Sequence, residues 1–210
     1  MTQQEHNDLY HKIYQEWGLN YITTKNYGLS IYDGKLAGIE NPLVYSSGVW
    51  YRERWRGRIR NINQKAKPKY LWDPRQKDAP MPRYYGNFDV VKWVRNPPTK
   101  ADFERQKLRH KYREEHNPYR LWVHEGERCL WAWTTSGQRE KAIATWGTST
   151  MGAFIQMLMS WSSAIASVKI PLIELVYVPD HDEQGYKAAA QLWAARDDLI
   201  SIGFKDAIVI

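Results

Sequence analysis

Residues Leu172 to Gly185 read LIELVYVPDHDEQG. The run Leu172, Ile173, Leu175, Val176, Val178 is apolar, largely β-branched and short, which predicts a buried strand from Leu172 to Val178, and Pro179 cannot continue its ladder. Asp180 and Asp182 follow at once, and Gly185 leads into a helical pattern predicted from Tyr186 to Ile200. Two carboxylates therefore sit at the carboxyl end of a strand. Ligands bind outside that edge in open α/β sheets, and hard carboxylate oxygens suit Mg²⁺ or Mn²⁺.

Outward from this stretch the pattern alternates. Leu121 to Val123 is a short strand, Glu127 to Thr135 a helix, Ile143-Ala144 a minimal strand, and Met151 to Ala166 a long apolar helix. Ala207 to Ile210 makes a last strand. Such alternation predicts an α/β fold with a mostly parallel sheet flanked by helices. In that sheet Glu125, which ends the first strand, comes to the same rim as Asp180 and Asp182 despite about 55 residues of separation. Three carboxylates on one rim repel one another, and a divalent cation relieves this. The plain alternative, acids favoured by a helix N-terminus, applies best to Glu127.

Upstream the texture differs. Gln4 to Trp17 has Leu9, Tyr10, Ile13, Tyr14 and Trp17 on one helical face, with Gly18 as its C-cap. From Tyr27 to Asn61, short apolar runs broken at Asp33-Gly34 and Ser47-Gly48 predict an antiparallel meander. Thr99 to Glu115 reads as a charged helix. The domain boundary is placed at Asn117-Pro118, giving an α+β basic subdomain over residues 1–118 and the α/β domain over 119–210.

The formal charge of the 210-residue chain is +7 and its pI is near 9.3. That charge is local: about 20 Lys and Arg against about 8 Asp and Glu lie between Leu43 and Arg120. In WYRERWRGRIR (Trp50 to Arg60), Arg52, Arg54, Arg56, Arg58 and Arg60 recur at period two, so a strand would carry all five on one face. A solvated sheet face is the bland reading; five guanidiniums with no acid among them favour a polyanion lying across them. Trp50, Tyr51, Trp55, Tyr70, Trp72, Tyr84 and Tyr85 interleave with these cations, as in grooves that stack bases. The single cysteine, Cys129, excludes a disulfide framework and reads as a packed residue. With no apolar run of about 18 residues and no signal pattern, the expectation is a soluble cytoplasmic protein without a membrane partner.

Glu125-Gly126 after a first strand, Thr145-Trp146-Gly147 after a second, and Asp180-His181-Asp182-Glu183-Gln184-Gly185 after a third resemble the Toprim pattern of bacterial-type primases, topoisomerases and some nucleases. Before it stand Gly57-Arg58-Ile59-Arg60, Lys67-Pro68-Lys69-Tyr70 and Tyr84-Tyr85-Gly86. In that order they resemble the basic subdomain that precedes the Toprim domain in bacterial and phage primases. The resemblance implies a DNA primase of a phage, plasmid or other mobile element in a bacterial cell, synthesising short primers on single-stranded DNA from nucleoside triphosphates. It implies Mg²⁺ or Mn²⁺ on Glu125, Asp180 and Asp182 as the catalytic set. Arg56, Arg58, Arg60, Lys67, Lys69, Tyr70 and Gly147 would contact nucleotide or template, and a replicative helicase or another replication protein would be a further partner. Two departures stand out. Cys129 occupies the position of an aspartate in cellular primases, and the family's further acids after the fourth strand would fall beyond Ile210. A metal-dependent nuclease with the same rim, and a nucleic-acid-binding module with a reduced rim, are the alternatives.

Overall fold

In the computed structural model the described residues are 4, 11, 15, 18–27, 30–31, 42–49, 54–61, 70–72, 78, 84–86, 90–96, 99, 101, 105, 119–138, 140–162 and 173–210. They fall into two units: Met1–Asn87 with Trp131–Gly137, and Phe88–Leu130 with Gln138–Ile210.

In the first unit, Gln4, His11 and Gln15 are helical and exposed, and Gly18 takes φ +61°, the left-handed conformation of a helix C-cap. Asn20 then caps a short helix, α1 (Tyr21–Asn26), by accepting the Thr23 N–H at 2.8 Å. Strands β1 (Ser30–Ile31), β2 (Pro42–Val49), β3 (Arg54–Asn61) and β4 (Tyr70–Trp72) follow. They pair antiparallel in sequence order, the meander that the Gly-broken texture predicts. Arg54, Arg56, Arg58 and Arg60 occupy alternate positions of β3, opposite Val49, Ser47, Tyr45 and Leu43 of β2, and Tyr70 pairs with Arg60. Arg52, Lys67 and Lys69 lie outside the described residues.

The core of this unit corrects one expectation. Tyr84 and Tyr85 are buried, so they are not exposed stacking groups. Tyr85 stacks on Tyr27 with ring centroids 5.5 Å apart, meets Trp131 edge-on, and accepts the Trp131 indole N–H at 3.2 Å. The Tyr27 hydroxyl pairs with Thr134, and Thr23 with Thr135. These pairs let large aromatics be buried without stranding their polar ends.

The second unit opens with α2 (Val90–Arg95), then β5 (Arg120–His124), α3 (Glu127–Thr135, whose later residues group with the first unit), β6 (Lys141–Ala144) and a 3₁₀ turn at Thr148–Thr150. Next come α4 (Met151–Met159), β7 (Glu174–Val178), α5 (Glu183–Ala194), α6 (Arg196–Ser201) and β8 (Asp206–Val209). The sheet is parallel throughout, in the order β6-β5-β7-β8. This is the expected α/β fold. Leu121, Val123, Ile143, Leu175, Phe154, Leu158, Leu192 and Leu199 are fully buried in it. Side chains of this size contribute about 1.5–3 kcal/mol each when removed from water.

Several boundaries move. β7 spans Glu174–Val178, with the Ile173 carbonyl accepting the Lys205 N–H at 2.8 Å just before it, and Leu172 lies outside the described residues. α4 ends at Met159 with Ser160 as C-cap; residues 163–170 lie outside the described residues. The helix predicted from Tyr186 begins at Glu183 and divides at Ala195 into α5 and α6. No described helix is long and apolar enough to cross a membrane.

Candidate active site

The strand order dictates where the acids meet. β5 and β7 are neighbours, and the chain leaves the carboxyl end of β5 for β6 on one side and that of β7 for β8 on the other. This is the topological switch point, where a crevice opens outside an α/β sheet. Glu125 directly follows β5, and Asp180 lies two residues past β7. The Glu125 N–H continues the ladder onto the Val178 carbonyl at 3.3 Å, and its carboxylate Oε2 accepts the Asp180 N–H at 3.0 Å. The Glu125 carboxylate is thus tied to the backbone of Asp180.

Asp182 has a different first task. It is the N-cap of α5, its Oδ1 accepting the Gly185 N–H at 2.8 Å, and its own N–H donates to the Asp180 carbonyl at 2.9 Å. Gly185 is required by space: a Cβ there would stand 2.1 Å from the Asp180 carbonyl oxygen. The Asp-x-Asp-x-x-Gly spacing is therefore a folded unit. Its second aspartate starts the helix, and its glycine lets the helix lie against the first aspartate's backbone.

The loop after β6 completes the frame. Thr145 donates its hydroxyl to the Glu125 carbonyl at 3.2 Å, and the Gly147 N–H reaches the same carbonyl at 2.8 Å. Gly147 has φ +110°, which favours glycine, and Trp146 is held at φ 71°, an uncommon conformation for a residue with a side chain. Gly147, expected to meet nucleotide, thus braces the backbone of Glu125.

Charge in this corner is concentrated and unbalanced. Among the described residues no Lys or Arg forms an ion pair with Glu125, Asp180 or Asp182. Burial raises the Glu125 carboxyl above its ordinary range, the Asp180 N–H opposes this, and the charges of Asp180 and Asp182 raise it further. The Cys129 thiol lies 3.6 Å from Asp180 Oδ1 and is pushed up to about 11 by burial and then by Asp180, so it remains a neutral donor. His124 is buried and pushed down to about 4, an uncharged ring beneath the rim, whereas His181 is exposed and meets Tyr186 edge-on. Glu127 is buried at the start of α3, which suits a helix N-terminal acid. Among the described residues, no three His, Cys, Asp or Glu side chains already converge as a ligand set.

Two neighbours of the rim escape a reading of the sequence alone. Cys129 reaches Asp180 only through the packing of α3, although its place four residues after Glu125 was a signal. Tyr177 gave no signal, being one apolar position of a buried strand. No protein-family model, curated protein or solved structure matches the chain.

Proposed function

We propose that the chain is a Toprim-type primase, a nucleotidyltransferase that makes short primers on single-stranded DNA from nucleoside triphosphates. The observation that carries this reading is the bond from the Asp180 N–H to Glu125 Oε2 at the switch point of the parallel sheet, in a corner with no basic partner among the described residues. The donor chemistry suits Mg²⁺ or Mn²⁺: Glu125 and Asp180 would hold the ion, with the Asp182 oxygen that does not cap α5 as the third ligand. Such an ion neutralises triphosphate oxygens and stabilises the charge of in-line displacement at the α-phosphorus.

The chain's own residues prepare for this. The Asp180 N–H orients Glu125, Thr145 and Gly147 fix its backbone, and Cys129 steadies Asp180 as a neutral donor. Arg56, Arg58 and Arg60, at alternate positions of β3, suit template or triphosphate phosphates, with Lys67 and Lys69 adding charge and Tyr70 a base-stacking ring. A replicative helicase or another replication protein in the bacterial cytoplasm would deliver the template.

The test is incubation of the chain with single-stranded DNA, NTPs or dNTPs, and MnCl₂, beside Asp180→Ala. Template-dependent products from the wild type, lowered about a hundredfold or more in the variant, support the reading. Equal product from both overturns the assignment of the rim, and shortened template in place of product makes the enzyme a nuclease.

A further inference from the structure

Tyr177 lies on β7, opposite Val123 of β5 and Val209 of β8, one residue before the carbonyl that receives the Glu125 N–H. Its backbone is satisfied, the carbonyl accepting the Ile210 N–H at 3.1 Å. Its side chain is not: it is fully buried, and its hydroxyl has no hydrogen-bond partner among the described residues. A buried hydroxyl left unpaired is destabilising, and phenylalanine would fill the same space without that cost. Val123 pairs with Tyr177 across the ladder, so Glu125, two residues further on, takes the alternate position on the same side of the sheet, and its carboxylate is a hydrogen-bond acceptor. The groups that act electrostatically on the hydroxyl are Glu125 foremost, then Asp180, Asp182 and Cys129. Burial and then those charges hold the phenol above its usual range, so it stays a donor.

We propose that Tyr177 is a positioning residue for the rim, its hydroxyl being the donor that Glu125 takes up when a divalent cation is bound. This rests on the cation reading given above. In the present geometry Glu125 Oε2 is engaged by the Asp180 N–H. A carboxylate accepts more than one donor, so with Oε2 still on the Asp180 N–H the Tyr177 hydroxyl would add a second when Glu125 settles on a cation. A hydrogen bond from beyond the metal-binding atoms orients such a ligand and raises affinity. Binding would then give the buried hydroxyl its acceptor.

The experiment uses the full chain as wild type and Tyr177→Phe, with MnCl₂ titrated by calorimetry and thermal melting followed in EDTA. Tyr177→Phe is expected to melt at the same or a higher temperature in EDTA and to bind Mn²⁺ about tenfold more weakly. Mn²⁺ affinity equal to the wild type overturns the role of Tyr177 while leaving the cation reading intact. A lower melting temperature in EDTA with unchanged affinity makes the hydroxyl structural and overturns it equally. A wild type that binds no Mn²⁺ overturns both.

Discussion

The two edges of the parallel sheet treat their acids in opposite ways. At the amino edge, Glu174 accepts from Arg120 Nε at 2.6 Å and lies 3.8 Å from Lys205, Asp206 is bound by Arg196 at 2.8 Å, and Glu140 takes the Trp122 indole N–H and sits 4.0 Å from Arg120. Each acid there has a cation. At the carboxyl edge, Glu125 and Asp182 accept backbone N–H groups and Asp180 accepts the Cys129 thiol, and none of the three forms an ion pair among the described residues. The chain carries 30 Lys and Arg against 23 Asp and Glu, so basic groups are not scarce. The acids of the amino edge are neutralised within the fold, whereas those of the carboxyl edge are held by neutral donors alone among the described residues.

The largest expected break in this contrast comes from Gly185→Ala. The added Cβ meets a backbone oxygen that cannot turn aside, so Asp180 must move and lose its hold on Glu125. We expect a loss of about 3 kcal/mol in denaturant unfolding, together with loss of Mn²⁺ binding. Glu174→Ala strikes the other edge. It removes the nearer of the two carboxylates beside the partly buried Arg120 guanidinium and leaves Glu140, and about 2 kcal/mol of stability should go while Mn²⁺ affinity stays at the wild-type value. The exposed Lys205 adds little to that sum.

Glu125→Gln gives the smallest effect and the sharpest sign. A carboxyl raised in the folded state favours folding below its unfolded value, and that contribution is lost as pH rises through the folded value. The variant, which keeps an acceptor for the Asp180 N–H, should therefore be the more stable protein at pH 8 in EDTA. Its advantage should shrink as pH falls through the raised Glu125 range towards the ordinary carboxylate range. Melting curves across pH check this, and an advantage that grows on acidification would contradict it.

What could be read in advance follows from where the determinants lie. The β-branched run ending at Pro179 and the apolar spacing of Glu127 to Thr135 are local signals: the strand ends at Val178 as expected, and the helix has its expected bounds. Asp182 as a helix cap was legible in the same sense, since an Asp immediately before a helical run is a common start signal. Its proximity to Asp180 drew attention to metal instead. The division at Ala195 has no Gly or Pro to announce it, and α1 and α2, at six residues each, are shorter than a periodic signal needs. Tyr84, Tyr85 and Tyr177 were not legible at all. Whether an aromatic packs, stacks or strands its hydroxyl depends on neighbours distant in sequence, such as Trp131 for Tyr85.

The pairing of β5 with β7 has a kinetic consequence. Arg120 meets Glu174 and His124 meets Val178 only after more than fifty intervening residues are closed into a loop, and parallel pairing of this kind forms slowly. Glu125 and Asp180 face each other only once that closure is complete, so nascent or partly unfolded chains offer no assembled rim. A cation held by both residues would also clasp the two strands, and it would act on the rate at which the sheet opens more than on the rate at which it forms.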